Sequence, residues 1–302
     1  MWFGFSLLTA LSWGGADLFY KKASNPNDQY SHLKIVVMLG LVMGLHATGY
    51  MLLKDISFNP IEILRYFPVS ALYILSMIFG YIGLRYIELS IASPVQNSSG
   101  AVTAILLLIF FPREIGMLEI MGICLITVGV IGLAILEKRV SDRALKSENV
   151  HIEKKYQIGF LAILFPILYC LIDGLGTFAD GIYLDELKLI SETDALLAYE
   201  YTFFICAVCA FLFLRLGKKE KVHFFKERAK GYAAILETVG QFFYVFAISS
   251  NAIIAAPLIA SYSIFSVILS RIFLKEKLTK TQYAVISVVI LGIILLGLAE
   301  EI

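Results

Sequence analysis

The chain has 302 residues, of which 59% are hydrophobic and only 16% charged, and its formal net charge is +1. This composition excludes an ordinary soluble protein, and the absence of a basic stripe excludes nucleic acid as a partner. A membrane-spanning helix takes about 20 apolar residues, so ten such helices with short connections would use nearly the whole length.

Ten apolar stretches follow one another along the chain. Their predicted limits are 2–20, 33–53, 66–86, 91–111, 115–136, 157–179, 195–214, 231–248, 252–274 and 281–299. Because every backbone amide in lipid must be bonded within its own segment, we predict helices rather than strands. Lys21 and Lys22 follow the first stretch instead of preceding it, so we interpret this stretch as an uncleaved helix and not as a signal peptide.

The sequence repeats itself at an offset of 163 residues. Three pairs of residues coincide at this offset: Pro94 with Pro257, Ser98 with Ser261, and Glu119 with Gln282. Five helices in each copy would make the second copy enter the membrane from the opposite side. We therefore predict an all-α integral membrane fold of ten transmembrane helices as two inverted five-helix repeats, 1–137 and 157–302, joined by a charged linker, 138–156.

The first helices of the two repeats share a weaker pattern. Trp13 and Asp17 are four residues apart, and so are Tyr169 and Asp173. Residues four apart lie on one face of a helix. We interpret the two pairs as equivalent positions of the repeat.

The distribution of basic residues predicts an orientation. If the ten helices alternate, one side of the membrane receives 21 of the 25 Lys and Arg residues, and the side with both termini receives four. The positive-inside rule then places both termini outside the cell.

Two proline-centred segments carry a family resemblance. Gly80–Pro94 and Ser249–Pro257, with its continuation Phe265–Gln282, resemble the EamA-type members of the drug/metabolite transporter superfamily. The first copy departs from the pattern at Met117, where a threonine is expected. The resemblance implies ten helices around a central cavity and transport of small metabolites or drugs. It also implies cytoplasmic termini, opposite to the charge count, so the orientation stays open.

These features predict where the protein works and with what. We expect a multi-pass integral protein of the bacterial cell membrane, whose partners are the lipid bilayer and a small-molecule substrate, and whose activity does not require an oligomer. Cys206 and Cys209 have CxxC spacing, but without a second pair we interpret them as packing residues. We expect no cofactor and no metal, since His32 and His46 have no ligand-spaced partner.

Charged residues inside membrane helices mark candidate functional positions, because each costs about 2.5–3.5 kcal/mol at a helix centre. Glu237 is the strongest candidate. Gln241 and Tyr244 follow it four and seven residues later, which places all three on one helix face. Such a polar face points into a cavity, where it would bind substrate or protons, or it ties two helices together.

Two of the other three charged candidates have alternatives near the membrane surface. Asp17 is four residues from Lys21, which allows an interfacial ion pair as well as a cavity role. Asp173 follows Tyr169 by one helix turn and lies deeper. Glu200 is only five or six residues into its stretch, a depth that suits an interfacial charge equally well.

The prolines of the repeat add polar candidates. Asn97 follows Pro94, and Ser261 follows Pro257. Backbone loosened after a proline can expose carbonyl groups to a ligand, as in discontinuous transporter helices. Small polar residues in such a segment can equally serve close helix packing. We interpret most tyrosines as members of the aromatic belt at the membrane surface.

Together these observations favour a secondary carrier that works by alternating access. No GxxxxGK[ST] motif is present, so ATP does not drive it directly. Coupling to protons is open, because a buried carboxylate can take up a proton near neutral pH. The alternatives are a non-transporting receptor or assembly subunit, and an intramembrane aspartyl protease. The protease alternative lacks its glycine-x-glycine-aspartate motif, since Gly176 is followed by Thr177.

Overall fold

The computed structural model describes residues 1–25, 27–87, 89–147, 164–222, 227–276 and 278–301. In these residues the chain forms eleven α-helices and no strand. The helices are α1 (Trp2–Ala23), α2 (Ser31–Leu53), α3 (Ile61–Gly83), α4 (Leu89–Asn97), α5 (Ser99–Phe110), α6 (Met117–Ser147), α7 (Leu164–Gly181), α8 (Glu192–Leu212), α9 (Arg228–Ala260), α10 (Tyr262–Leu269) and α11 (Lys280–Glu301). Three π-helical turns extend α7, α8 and α10: Ile182–Glu186, Phe213–Gly217 and Ser270–Leu274.

Eight helical ranges in the described residues are long and apolar enough to cross a membrane. This confirms the prediction of an all-helical membrane protein. The first helix, α1, is not among the eight, because it carries polar residues such as Ser6, Thr9 and Asp17 that are buried against other helices. The fifth predicted stretch, 115–136, agrees with the candidate span Met117–Leu136. The helix itself, α6, continues beyond this span to Ser147, into the predicted linker. The rest of that linker, 148–156, lies outside the described residues.

One of the eight ranges, Arg228–Leu274, has 47 residues. At 1.5 Å per residue a straight helix of that length would measure about 70 Å, more than twice the hydrocarbon thickness. The backbone leaves the helical conformation at Asn251, with φ −168° and ψ 87°. The predicted stretches 231–248 and 252–274 lie on either side of this residue.

Two further helix breaks fall at Ser98 and Ser261, which are equivalent at the 163-residue offset. Their backbone angles are nearly the same, φ −62° and ψ −9° at Ser98 and φ −64° and ψ −5° at Ser261. The Ser98 amide donates to the Val95 carbonyl, and the Ser261 amide donates to that of Leu258, 163 residues beyond Val95. The repeated sequence thus produces the same local backbone twice.

The packing of the helices also keeps its pattern when the two halves of the chain are exchanged. Helix α1 packs along α9 and α3 along α7, while α2 packs on α8 and α6 on α11. A Cβ atom at Gly129 would meet Val289, and one at Gly292 would meet Ile126. Gly292 lies 163 residues beyond Gly129, and Val289 lies 163 residues beyond Ile126. The two contacts are therefore equivalent at this offset.

The first helices of the two halves match at a different offset. A Cβ atom at Gly14 would lie 2.7 Å from the Cβ of Phe265, and one at Gly174 would lie 3.0 Å from the Cβ of Val102. Phe265 is 163 residues beyond Val102, so the contacts make Gly14 equivalent to Gly174.

This match corrects the interpretation of the first helices. With Gly14 equivalent to Gly174, Trp13 takes the place of Asp173 and not of Tyr169. The predicted pairing was wrong by about one helix turn, because spacing within one helix does not fix its register against the neighbouring helices.

Candidate functional site

A central cavity of about 60 Å³ lies between the two halves of the chain. Helices α1, α3, α4 and α5 supply its wall from the first half, and α7, α8, α9 and α10 supply it from the second. Eight of the ten predicted site residues line it: Trp13, Asp17, Asn97, Tyr169, Asp173, Glu237, Gln241 and Tyr244. This volume holds a few water molecules, so a larger solute requires the helices to move apart.

Three carboxyl groups line this cavity. Asp17 Oδ2 accepts hydrogen bonds from Ser93 Oγ at 2.6 Å and Ser266 Oγ at 2.7 Å, which tie α1 to α4 and α10. Asp173 Oδ2 accepts one from Ser99 Oγ at 2.7 Å. In the described part of the chain, no side chain donates a hydrogen bond to the Glu237 carboxyl group.

The alternative of an Asp17–Lys21 ion pair was wrong. Asp17 is buried and held by serine hydroxyls. The Lys21 ammonium group instead donates to the carbonyl oxygens of Leu84, at 2.9 Å, and Ile87, near the end of α3. Among the residues that the structure describes, no Lys, Arg or His lines the cavity, so its titratable wall consists of carboxyl and tyrosine groups.

The polar face predicted on α9 lies on the cavity wall. Glu237 and Gln241 both line it, and the side-chain Nε2 of Gln241 is buried without a hydrogen-bond partner in the described residues. Gln96, on α4, lines the same cavity, and its Nε2 atom is also buried without a hydrogen-bond partner in the described residues. Because buried polar groups are normally hydrogen-bonded, these two amides remain available to water or a ligand.

Tyr244 connects the cavity to a buried tyrosine cluster around Asp180. The Asp180 side chain accepts hydrogen bonds from the hydroxyl groups of Tyr66, Tyr73 and Tyr244, the last two at 3.0 Å. Tyr73 also bonds to Thr177 at 2.9 Å. The cluster joins α3, α7 and α9.

Several tyrosines of the cavity wall were missed, because we had assigned most tyrosines to the membrane surface. That assignment was wrong for five side chains that line the cavity and are at most 7% exposed: Tyr20, Tyr73, Tyr81, Tyr199 and Tyr262. The spacing of Tyr73, Met77 and Tyr81 at i, i+4 and i+8 could have revealed one face of α3. Trp13 packs between Tyr244 and Tyr262, with ring centroids 5.2 Å and 5.8 Å away.

Two predicted site residues lie away from the cavity. Glu200 is fully buried, and both its carboxylate oxygens are 2.8 Å from Nδ1 of His46. The spacing of residues in the sequence did not predict this contact of His46. Ser261 lies at the break between α9 and α10, where its hydroxyl group donates to the Leu258 carbonyl at 2.6 Å.

A polar cavity enclosed by apolar helices defines a multi-pass membrane protein with an internal site. Residues 1–135 and 159–298 match the EamA-like transporter family, so the chain belongs to that family, within the drug/metabolite transporter superfamily. A solved structure described only as a crystal structure of a protein is similar with a TM-score of 0.63, over 98% of this chain and 96% of that one. At 14% identity this likeness concerns the fold alone. No curated protein matches the sequence.

Proposed function

We propose that this protein is a secondary transporter of the bacterial cell membrane that moves a small solute by alternating access. The observation that carries the proposal is the central cavity, whose wall is shared between the two halves. A site at the junction of two repeats is the arrangement in which rocking of one half against the other exposes the solute to each side in turn. The small volume of the cavity corresponds to a closed form, which must open before the solute can enter.

The proposal includes ten spans arranged as an inverted repeat. It is supported by the interruption of Arg228–Leu274 at Asn251, which divides a range too long for one span. It is also supported by the equivalent breaks at Ser98 and Ser261, and by helix pairs that keep their pattern when the halves are exchanged. With α1 counted as a span, each half has five, and an odd number inverts the second copy.

Cysteine labelling tests this topology. In a background without the four native cysteines, we expect Asn27→Cys and Lys219→Cys to react with a membrane-impermeant reagent from one side and Asp55→Cys only from the other. These positions lie in the connections after α1, α8 and α2. Labelling of Asn27→Cys and Asp55→Cys from the same side would remove α2 as a span. The side from which each cysteine reacts also decides the orientation of the protein. The distribution of basic residues predicts termini outside the cell, whereas the family resemblance predicts cytoplasmic termini.

We also propose that Glu237 couples transport to protons. Its carboxyl group lines the cavity without a side-chain hydrogen bond in the described region, and Asp17 and Asp173 are the other carboxyl groups on that wall. A group without a fixed partner can exchange its proton with cavity water or with the solute. Tyrosines from α1, α3, α7, α8 and α10 face the same space.

Glu237→Gln should reduce transport at least about tenfold and remove its pH dependence, because the amide keeps the size of the side chain but does not titrate. The measurement is uptake into proteoliposomes across a pH series, using the best solute from a panel of amino acids, sugars and small cations. Ile235→Ala is the matched control, since Ile235 lies on the exposed side of α9. Leu236 is unsuitable as a control, because its side chain lies against Gly15 of α1. An unchanged rate and pH profile would contradict the coupling role.

A further inference from the structure

We propose that the solute is a small organic cation, held by the carboxyl groups of Asp17, Asp173 and Glu237 and by the aromatic wall around Trp13. This inference rests on the proposed transport function and names the chemical class of its cargo. It is carried by the charge of the cavity, the arrangement of its rings and the polar groups left without partners.

The charge of the cavity favours a cation. Three carboxyl groups line it, and no Lys, Arg or His does so among the residues that the structure describes. Buried charges are stable when they are paired. A cationic solute supplies the missing partner to a carboxyl group that has given up its proton, whereas an anionic solute would meet a group of its own sign.

The aromatic residues provide the second part of the site. Trp13 lines the cavity between Tyr244 and Tyr262, and Tyr20 and Tyr81 line it with ring centroids 4.7 Å apart. Ring faces attract organic cations, and clusters of them recognise quaternary ammonium and methylated amine groups. Carboxyl groups next to several rings therefore fit an amine better than a sugar or a carboxylic acid.

Unpartnered polar groups show that the wall is not satisfied by the protein alone. The Nε2 atoms of Gln96 and Gln241 are buried without a hydrogen-bond partner in the described residues, and both side chains are at most 3% exposed. Gln241 lies one helix turn from Glu237 on the cavity wall. The polar part of an amine solute, such as a hydroxyl group, can bond to these amides while its charged end lies near the carboxyl groups.

A metal ion fits this cavity less well. In the described parts of the chain, no three His, Cys, Asp or Glu side chains are gathered closely enough to hold a metal ion. Hard cations such as Mg²⁺ and Ca²⁺ take six or more oxygen ligands at close range. Carboxyl groups distributed around a ring-lined space suit a charge that is spread over a larger molecule.

Tryptophan fluorescence tests the inference without requiring transport. The chain has two tryptophans, so Trp2→Phe leaves Trp13 on the cavity wall as the reporter. The probes are choline and its neutral isostere 3,3-dimethyl-1-butanol, followed by tetramethylammonium and tyramine. We expect choline to change the fluorescence saturably and the isostere to bind at least about tenfold more weakly. Glu237→Gln should weaken choline binding by a similar factor, and Ile235→Ala should leave it unchanged.

Three outcomes would overturn the inference: equal or tighter binding of the isostere, no saturable response to any of the three cations, or choline binding that Glu237→Gln leaves unchanged. Uptake of radiolabelled choline into proteoliposomes separates this inference from the proposed function. Binding without uptake would leave the cation site in place and contradict the transporter. Uptake of a neutral or anionic solute that none of the cations inhibits would contradict the cation site and leave the proposed transport function in place.

Discussion

Replacing Asp180 by leucine should lower the melting temperature of the purified protein by about 4–10 °C. The change removes the acceptor shared by the hydroxyl groups of Tyr66, Tyr73 and Tyr244, which come from two other helices. Hydrogen bonds between membrane helices average about 0.6 kcal/mol and reach about 1.7 kcal/mol each. Three of them, with the buried Tyr66 hydroxyl group left without its acceptor, give about 2–5 kcal/mol, and the temperature shift follows from that sum.

A double-mutant cycle distinguishes this role from a simple packing effect. Tyr66→Phe alone should destabilise the protein, because Asp180 loses one of its donors. In the Asp180→Leu background the same change should cost nothing or even stabilise, since it removes a hydroxyl group that no longer has its acceptor. Equal effects of Tyr66→Phe in both backgrounds would show that the two side chains are not coupled.

Gly40→Ala should lower the melting temperature by about 2–6 °C, the equivalent of an overpacking cost of about 1–3 kcal/mol. A Cβ atom there would lie 2.2 Å from the Phe203 carbonyl oxygen and 2.5 Å from the Cβ of Ala207. Because the first of these atoms belongs to the backbone, α2 and α8 must move apart to admit a methyl group. Phe203 is also 163 residues beyond Gly40, so the contact lies where the two halves meet each other with equivalent residues.

Gly49→Ala is the matched control on the same helix. No atom lies within 4 Å of a Cβ atom at Gly49, so this change adds the same methyl group without a collision. Alanine also has a higher helix propensity than glycine, which should leave the melting temperature equal or slightly higher. If both variants melted alike, close contact between α2 and α8 at Gly40 would be ruled out.

The sequence was informative where local pattern and local structure coincide. The offset that relates Pro94 to Pro257 also relates the helix breaks at Ser98 and Ser261, because backbone conformation follows from a few neighbouring residues. Helical spacing likewise put Glu237, Gln241 and Tyr244 on one face, and the structure places that face on the cavity wall.

Contacts between distant parts of the chain could not be predicted in the same way. Nothing in the sequence shows that His46 meets Glu200, or that three tyrosines meet Asp180, since these pairs join different helices. Tyrosines are common both at membrane surfaces and in polar cores, so composition could not assign them. The register of the first helices depended on glycine contacts that only the packed structure contains.

If the protein works by the alternating access proposed above, that register bears on which way the empty protein faces. Two identical halves would give an inward and an outward form of equal free energy, because exchanging the conformations of the halves would reproduce the same molecule. Here an aspartate, Asp173, occupies in one half the place that Trp13 occupies in the other. The two forms are then chemically different, and a free-energy gap of only about 1.4 kcal/mol is a tenfold bias. Under the alternating access proposed above, divergence of the repeat would therefore give the unloaded protein a preferred resting side.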